Sequence, residues 1–328
     1  RVDGRTLADV IQGLAAGSED RAKWSLVRLL GDFVRVCNAV AFAHDFGVVH
    51  RDLKPENIML GRFGEVLLLD WGVARLLDED EPVATARDDL SPGDAGTGTR
   101  AGSIIGTPGY LSPEAAEGRI AEIGPASDVF SLGAVLYELL TLRRAYTGDS
   151  VIALLMACME GPPTDPTIRA PEQDIDPELA GICMAAMRLD PAERTPDAGE
   201  LARQIQDFLA GRQRHERAVQ EMRAAQEAWT ASTAAARELE AASAELSALE
   251  EATPAWTPRA EKAALLELRQ SVRDLGVLRD DAFGAAMLGA ERALSHDPRH
   301  RAAHELLDRA SWILYLRSEA AGNRAEKA

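Results

Sequence analysis

The run His50-Arg51-Asp52-Leu53-Lys54-Pro55-Glu56-Asn57 is followed, thirteen residues after Asn57, by Asp70-Trp71-Gly72. Together they set a carboxylate, a lysine, an amide and a second carboxylate along one short stretch, in the order phosphoryl transfer requires. Asn57 and Asp70 offer oxygen ligands suited to Mg²⁺, which takes few protein ligands and keeps its other positions for water and phosphate oxygens. Asp52 stands five residues before Asn57, placed to accept a proton from an attacking hydroxyl. Lys54 is placed to neutralise charge on a transferred phosphoryl group. An isolated Asp-x-x-x-x-Asn is usually a loop with self-capping side chains; the complete string carries the chemical reading.

The elements that must position these groups can be read from the flanking pattern. Ile58-Met59-Leu60 reads as a short strand, Gly61-Arg62-Phe63-Gly64 as a turn, and Val66 to Leu69 as a second apolar strand. Such a hairpin brings Asn57 close to Asp70. Val48 and Val49 lead into the loop that carries Asp52. Leu26, Leu30, Phe33, Cys37 and Val40 recur at helical spacing and predict one core-facing stripe. Val129 to Leu140 is apolar nearly all round, as a helix buried at a domain centre should be. Leu201 to Leu209 predicts a last amphipathic helix, with Gly211 as its natural stop.

These residues resemble the catalytic loop of protein kinases, and Lys54-Pro55-Glu56-Asn57 is similar to the serine/threonine class. The resemblance continues in order. Gly106-Thr107-Pro108-Gly109-Tyr110-Leu111-Ser112-Pro113-Glu114 resembles the end of an activation segment, with Ser-Pro-Glu in place of Ala-Pro-Glu. Asp128-Val129-Phe130-Ser131-Leu132-Gly133 resembles the start of the buried central helix of the large lobe. Arg194 resembles the arginine that pairs with the glutamate at Glu114. Bacterial Hanks-type serine/threonine kinases are the nearest kin by this reading. Trp71 departs from the usual Phe but keeps an aromatic plug.

The resemblance implies Asp52 as catalytic base, Lys54 as its phosphate-contacting neighbour, Asn57 and Asp70 as Mg²⁺ ligands, and Met59 as the floor under the adenine of ATP. It implies transfer of the γ-phosphoryl group of Mg-ATP to Ser or Thr hydroxyls on protein substrates. Arg51 implies regulation by a phosphate on the segment from Asp70 to Glu114, which contains Asp88, Asp89, Gly93, Gly96, Gly98 and Gly102. Thr97, Thr99 and Ser103 are candidate phosphosites, or part of a plain linker. Thr107 is expected to be a structural partner of Asp52 and Lys54. His50 is expected to be a core histidine supporting the loop, and Trp71 to be packing. Asp128 is a helix N-cap by its residue type; by the resemblance it also anchors the catalytic-loop backbone.

Val2-Asp3-Gly4-Arg5-Thr6-Leu7-Ala8-Asp9-Val10-Ile11 resembles the stretch just after the kinase hinge, and no Gly-x-Gly-x-x-Gly occurs near the start. The sequence is therefore expected to be a fragment carrying the large lobe without the small lobe. Residues 1–328 alone are expected to bind ATP weakly and to transfer phosphate at no useful rate.

The expected fold is mainly α: an α+β kinase-like large lobe over residues 1–211, with a small β-hairpin at the active site, then an all-α extension. An Ala/Glu-rich helical linker is expected over 212–262 and a helical, tetratricopeptide-like region over 263–328. From His215 to Glu251 few turn residues occur, which predicts a long helix or helical pair. Its apolar positions are mostly Ala, against a leucine-zipper seam. Thr253-Pro254-Ala255-Trp256-Thr257-Pro258 breaks it. Ala286, Ala290, Ala293, Leu294 and Pro298 follow the small-residue pattern of a tetratricopeptide-like repeat, with Ala303 to Leu316 as the next helix. A generic helical hairpin fits equally well, because one repeat cannot bury its own face.

The net charge of −17 argues against nucleic acid or an anionic membrane as partner. Cys37, Cys158 and Cys183 sit in apolar helical contexts and are expected to be buried thiols in a reducing, cytoplasmic compartment. No apolar run reaches membrane-spanning length. The alternative to an enzyme is a pseudokinase or scaffold acting by protein binding, and the C-terminal helices are candidates to hold protein partners.

Overall fold

The computed structural model describes residues 4–19, 21–76, 106–254, 256–258 and 262–325. The chain forms two compact units, residues 1–209 and 210–328. The first is mainly α with two small sheets; the second is all α.

In the first unit, β1 (Gly4–Thr6) runs into α1 (Leu7–Ala15). Thr6 and Asp9 cap that helix reciprocally: the Asp9 amide donates to Thr6 Oγ1, and the Thr6 amide donates to the Asp9 carboxylate. Helix α2 (Leu26–Asp45) is capped by Ser25. The stripe expected on it is present: Leu30, Phe33, Cys37 and Val40 are buried, with Leu26 packed beside them. The strands β2 (Val48–Val49), β3 (Ile58–Gly61), β4 (Val66–Leu68) and β5 (Arg75–Leu76) follow. One antiparallel sheet has the order β1-β3-β4 and the other pairs β2 with β5. In the β3–β4 hairpin Ile58 faces Leu68 and Leu60 faces Val66.

Short helix α3 (Pro113–Ala116) precedes α4 (Pro125–Thr141). Helix α4 is apolar on every side because it is surrounded: Val129, Phe130, Leu132, Val135, Leu136 and Tyr137 are fully buried. A residue on such a post cannot drift, which suits it to anchor a loop. Helices α2, α6 (Pro166–Arg169) and α7 (Pro177–Ala186) pack against it, and α5 (Val151–Glu160) packs on α3. Burial pushes the Cys37 and Cys183 thiols up, and the Cys158 thiol up to about 12. All three are unpaired and buried, as expected.

Helix α8 (Ala198–Ala252) corrects the sequence reading at Gly211, which does not end a helix. A glycine stops a helix when the chain turns left-handed there; Gly211 is not among the residues with positive φ. It costs about 1 kcal/mol in the helix interior. The good helix formers that follow, with Arg212 and Glu216 paired one turn apart at 3.6 Å, outweigh that cost.

The second unit holds α8 from Ala210 on, α9 (Ala263–His296) and α10 (Arg301–Ala325). Helix α8 ends before Pro254, and α9 ends before Pro298, as those prolines imply. Its core is a small-residue seam: Ala218, Met222 and Ala225 on α8 meet Ala286, Ala290 and Ala293 on α9, with Ala303 and Leu306 on α10. Among the described residues no helix is long and apolar enough to cross a membrane.

Candidate active site

The loop from His50 to Asn57 is held from below by α4. Both carboxylate oxygens of Asp128 accept main-chain bonds, from the His50 amide at 2.8 Å and the Arg51 amide at 2.9 Å. His44 Nε2 adds a third contact at 2.9 Å from α2. Arg51 is left-handed, with φ of 67°, a conformation that costs a non-glycine residue about 1–3 kcal/mol. The two amide bonds to buried Asp128 hold it there. Asp128 is thus an anchor of the loop and stands in the first turn of α4, whose N-cap is Gly124, so it is not the N-cap its residue type suggested.

His50 joins this loop to the end of β4. Its Nδ1 accepts from the Asp52 amide at 3.3 Å, and its Nε2 lies 3.2 Å from the Leu69 carbonyl. Those partners define one neutral tautomer, with the proton on Nε2. Burial lowers the imidazole pKa and keeps it uncharged, against the pull of nearby Asp128. The Trp71 ring packs on His50 at 4.6 Å between centroids, and its indole N–H donates to Leu68 O. Both side chains support the loop, as their sequence context implied.

Asp52 sits in a closed set of bonds. Lys54 Nζ donates to Asp52 Oδ2 at 2.8 Å and to Thr107 Oγ1 at 2.6 Å. The Thr107 hydroxyl then donates to Asp52 Oδ1 at 2.7 Å. Asn57 Nδ2 donates to the Asp52 carbonyl at 2.8 Å and to Oδ2 at 3.2 Å. Burial pushes the Asp52 carboxyl up, but the bonds from Lys54 and Thr107 outweigh it and hold the group below the usual carboxylate value. Asp52 is therefore ionised at neutral pH, and Oδ1 keeps a lone pair for an incoming hydroxyl. The Lys54 ammonium has three donors, of which two are used among the described residues.

Thr107 arrives from 55 residues downstream. The preceding Gly106 allows the approach. Its φ is 113°, and a Cβ there would lie 2.8 Å from Arg51 O and 2.6 Å from Leu111 Cδ2. No other residue type fits that crossing without displacing the loop.

The hairpin places the remaining two groups. Asn57 O accepts from Leu69 N at 2.8 Å, which continues the β3–β4 ladder and sets Asp70 one residue beyond. Asp70 is also left-handed, with φ of 60°, and its Oδ1 takes the Gly72 amide at 3.4 Å. Asn57 uses its amide N–H groups on Asp52, and among the described residues its Oδ1 accepts nothing. An amide oxygen and an exposed carboxylate on adjoining strand ends make an oxygen-only donor set, which fits a hard divalent cation. Met59 lies mid-strand in β3, opposite Thr6 of β1 and Leu67 of β4.

The structure brings Asp52, Lys54 and Asn57 into one bonded group, with Asp70 at the adjoining strand end. Thr97, Thr99 and Ser103 lie outside the described residues. Sequence reasoning passed over His44, because a histidine on an apolar helix carries no spacing signal; only its position six residues before His50 singles it out.

A family model for the protein kinase domain matches residues 2–206. Serine/threonine-protein kinase PknD of Protochlamydia amoebophila is 36% identical over 219 residues, which cover 64% of this chain and 22% of that protein. PknD of Chlamydia trachomatis is 34% identical over 212 residues, covering 62% and 22%. A probable serine/threonine-protein kinase of Streptomyces coelicolor is 35% identical over 211 residues, covering 64% and 28%. The matched part is thus between a fifth and three tenths of the length of these relatives.

Proposed function

The chain belongs to the protein kinase domain family, and on that premise we propose that it carries the catalytic loop of a serine/threonine kinase, transferring the γ-phosphoryl group of ATP to Ser or Thr hydroxyls of protein substrates. The observation that carries the reading is the bonded set of Asp52, Lys54, Thr107 and Asn57. The names of its relatives, all serine/threonine-protein kinases, support the same class.

In this reading the ionised Asp52 orients the substrate hydroxyl and accepts its proton at Oδ1. The remaining Lys54 donor meets a phosphoryl oxygen. Thr107 fixes both groups from the substrate side and excludes a competing geometry. Asn57 Oδ1 and Asp70 hold a divalent cation, for which we propose Mg²⁺. When bound, that ion neutralises phosphate charge. Met59, on β3, forms the floor under the adenine. A binding-only role is disfavoured, since a scaffold needs neither the Lys54–Asp52 pair nor its Thr107 bridge.

We assign residues 1–211 to the kinase lobe, supported by the unit boundary at Leu209. Residues 212–262 and 263–328 form the helical extension, tetratricopeptide-like in its second part, and we propose that it holds protein partners. Three buried, unpaired thiols fit the cytoplasm.

The test is phosphate transfer by the full-length protein. Asp52→Asn and Asp70→Ala should each lower it by at least about 100-fold, with the melting transition in place. Full activity in Asp70→Ala overturns the metal assignment; full activity in Asp52→Asn overturns the base.

A further inference from the structure

On the first unit, Arg5, Lys23 and Arg28, with Arg62 of the turn between β3 and β4, line a cavity of about 340 Å³ together with Trp24. Every charged group among its described lining residues is cationic. This stands out in a chain of net charge −17.

The cavity is built rather than accidental. Trp24 is buried, and its indole N–H donates to Glu19 Oε2 at 3.1 Å, which fixes the ring as a floor. The Arg28 guanidinium lies over that ring at 4.4 Å and the Lys23 ammonium at 5.4 Å. Cations held on an aromatic face are partly pre-ordered, so less side-chain entropy is lost when an anion arrives. Acidic groups engage two of these cations: Glu19 pairs with Arg5, and Asp32 lies 3.9 Å from Arg28 and 3.4 Å from Arg35, while Glu65 takes the Phe63 amide and Arg28 Nη1 also donates to the Lys23 carbonyl at 3.0 Å. Lys23 enters no ion pair among the described residues.

The cavity is walled by Gly4 and Arg5 of β1 and by Leu60 and Gly61 of β3, and among the described residues β1 stands at the edge of that sheet. An edge strand offers main-chain donors and acceptors to an extended segment. A basic cavity beside such an edge suits a peptide that carries an anionic side chain better than a free small anion.

We propose that this cavity is a docking site for an acidic or phosphorylated peptide segment of a protein partner, whose carboxylate or phosphate is received by Lys23 over Trp24, with Arg28 and Arg62 adding positive charge beside it. It is independent of the catalytic reading, since none of these residues belongs to the catalytic string.

The experiment is fluorescence anisotropy of short labelled peptides with the full chain. One peptide is rich in Glu and Asp around a phosphoserine, one has the same acidic residues with plain serine, and one is a neutral control. Acidic peptides should bind more tightly than the control, and more weakly as salt rises. Lys23→Glu and Arg62→Glu, both at exposed positions, should each weaken binding by about tenfold with the melting temperature unchanged. Equal binding by wild type and both variants overturns the proposal, as does equal binding of acidic and neutral peptides. Displacement by inorganic phosphate at the peptide's own concentration also overturns it, because it marks a small-anion site.

Discussion

Arg194 and Glu114, 80 residues apart in sequence, form a two-bonded ion pair at 2.8 and 2.7 Å with both side chains fully buried. The pair leaves no donor of Arg194 unused: Nε reaches Arg188 O, and the terminal nitrogens also reach Ala126 O and Leu189 O. Ser127 Oγ donates to Glu114 Oε1, and the guanidinium stacks on Phe130. One arginine thus ties the chain before α8 to α3, to the start of α4 and to the loop after α7.

Arg194→Met should be strongly destabilising. The methionine fills much of the volume, but it strands a buried carboxylate and three carbonyls. Breaking one side of such a pair costs about 3–5 kcal/mol. Urea denaturation, followed by a probe in residues 1–209, should show the midpoint fall. A loss under 1 kcal/mol would contradict the assignment.

The same pair sets a pH dependence. Burial pushes the Glu114 carboxyl up, but Arg194 and Ser127 outweigh it and hold the group at about 2, against an ordinary value of 4.5. A carboxyl depressed in the folded state adds stability above its unfolded value and loses it as pH falls through the folded one. Wild-type stability from this group should therefore be complete above pH about 4.5 and fade toward pH about 2. In Arg194→Met the buried carboxylate has lost its partner, so protonation relieves it instead. The gap between the two proteins should narrow as pH falls across that window; a constant gap in the urea midpoints would refute the linkage.

Thr107→Val should change chemistry more than stability. It removes the hydroxyl that accepts from Lys54 and donates to Asp52. A hydrogen bond to a charged group contributes about 1.5–3 kcal/mol, so transfer by the full-length protein should fall about 10- to 100-fold. Because the Thr107 bond helps to depress Asp52, the acid limb of the pH–rate profile should move up. Thr107→Ser should restore both. A drop in rate with an unmoved acid limb would assign Thr107 to packing alone.

How much of this was legible depended on distance along the chain. Asp52, Lys54 and Asn57 lie in one string, and a short hairpin with alternating strand residues carries Asp70 to them, so residue types and turn signals sufficed. The Glu114–Arg194 and Thr107–Asp52 contacts join segments far apart in sequence and were visible only through family resemblance. His44 gave no signal because its partner Asp128 lies 84 residues away. Gly211 misled for a different reason. A glycine marks a helix end only if the chain turns left-handed there, and that is decided by the helix formers after it, not by the glycine. The alanine-rich stretch beyond it excluded a leucine zipper, but composition alone did not show that its alanines form the seam of a three-helix unit.

That seam yields two contrasting substitutions on α9. At Gly289 an added Cβ would meet Ala225 Cβ at 2.9 Å and Glu221 O at 3.3 Å, whereas at Gly276 nothing lies within 4 Å. Both positions are in the same helix, so both gain propensity on replacing glycine, by up to about 1 kcal/mol for alanine. At Gly276 nothing opposes the gain, and Gly276→Ala should raise stability by about that amount. At Gly289 the gain must be set against forcing α8 and α9 apart along a seam of alanines that have no rotamers to adjust. Overpacking of this kind costs about 1–3 kcal/mol, so Gly289→Val should lower stability. Thermal melting of the two single variants, followed by helical circular dichroism, reads the difference directly. If Gly289→Val melts at or above Gly276→Ala, the close α8–α9 contact at Ala225 is not what holds the second unit together.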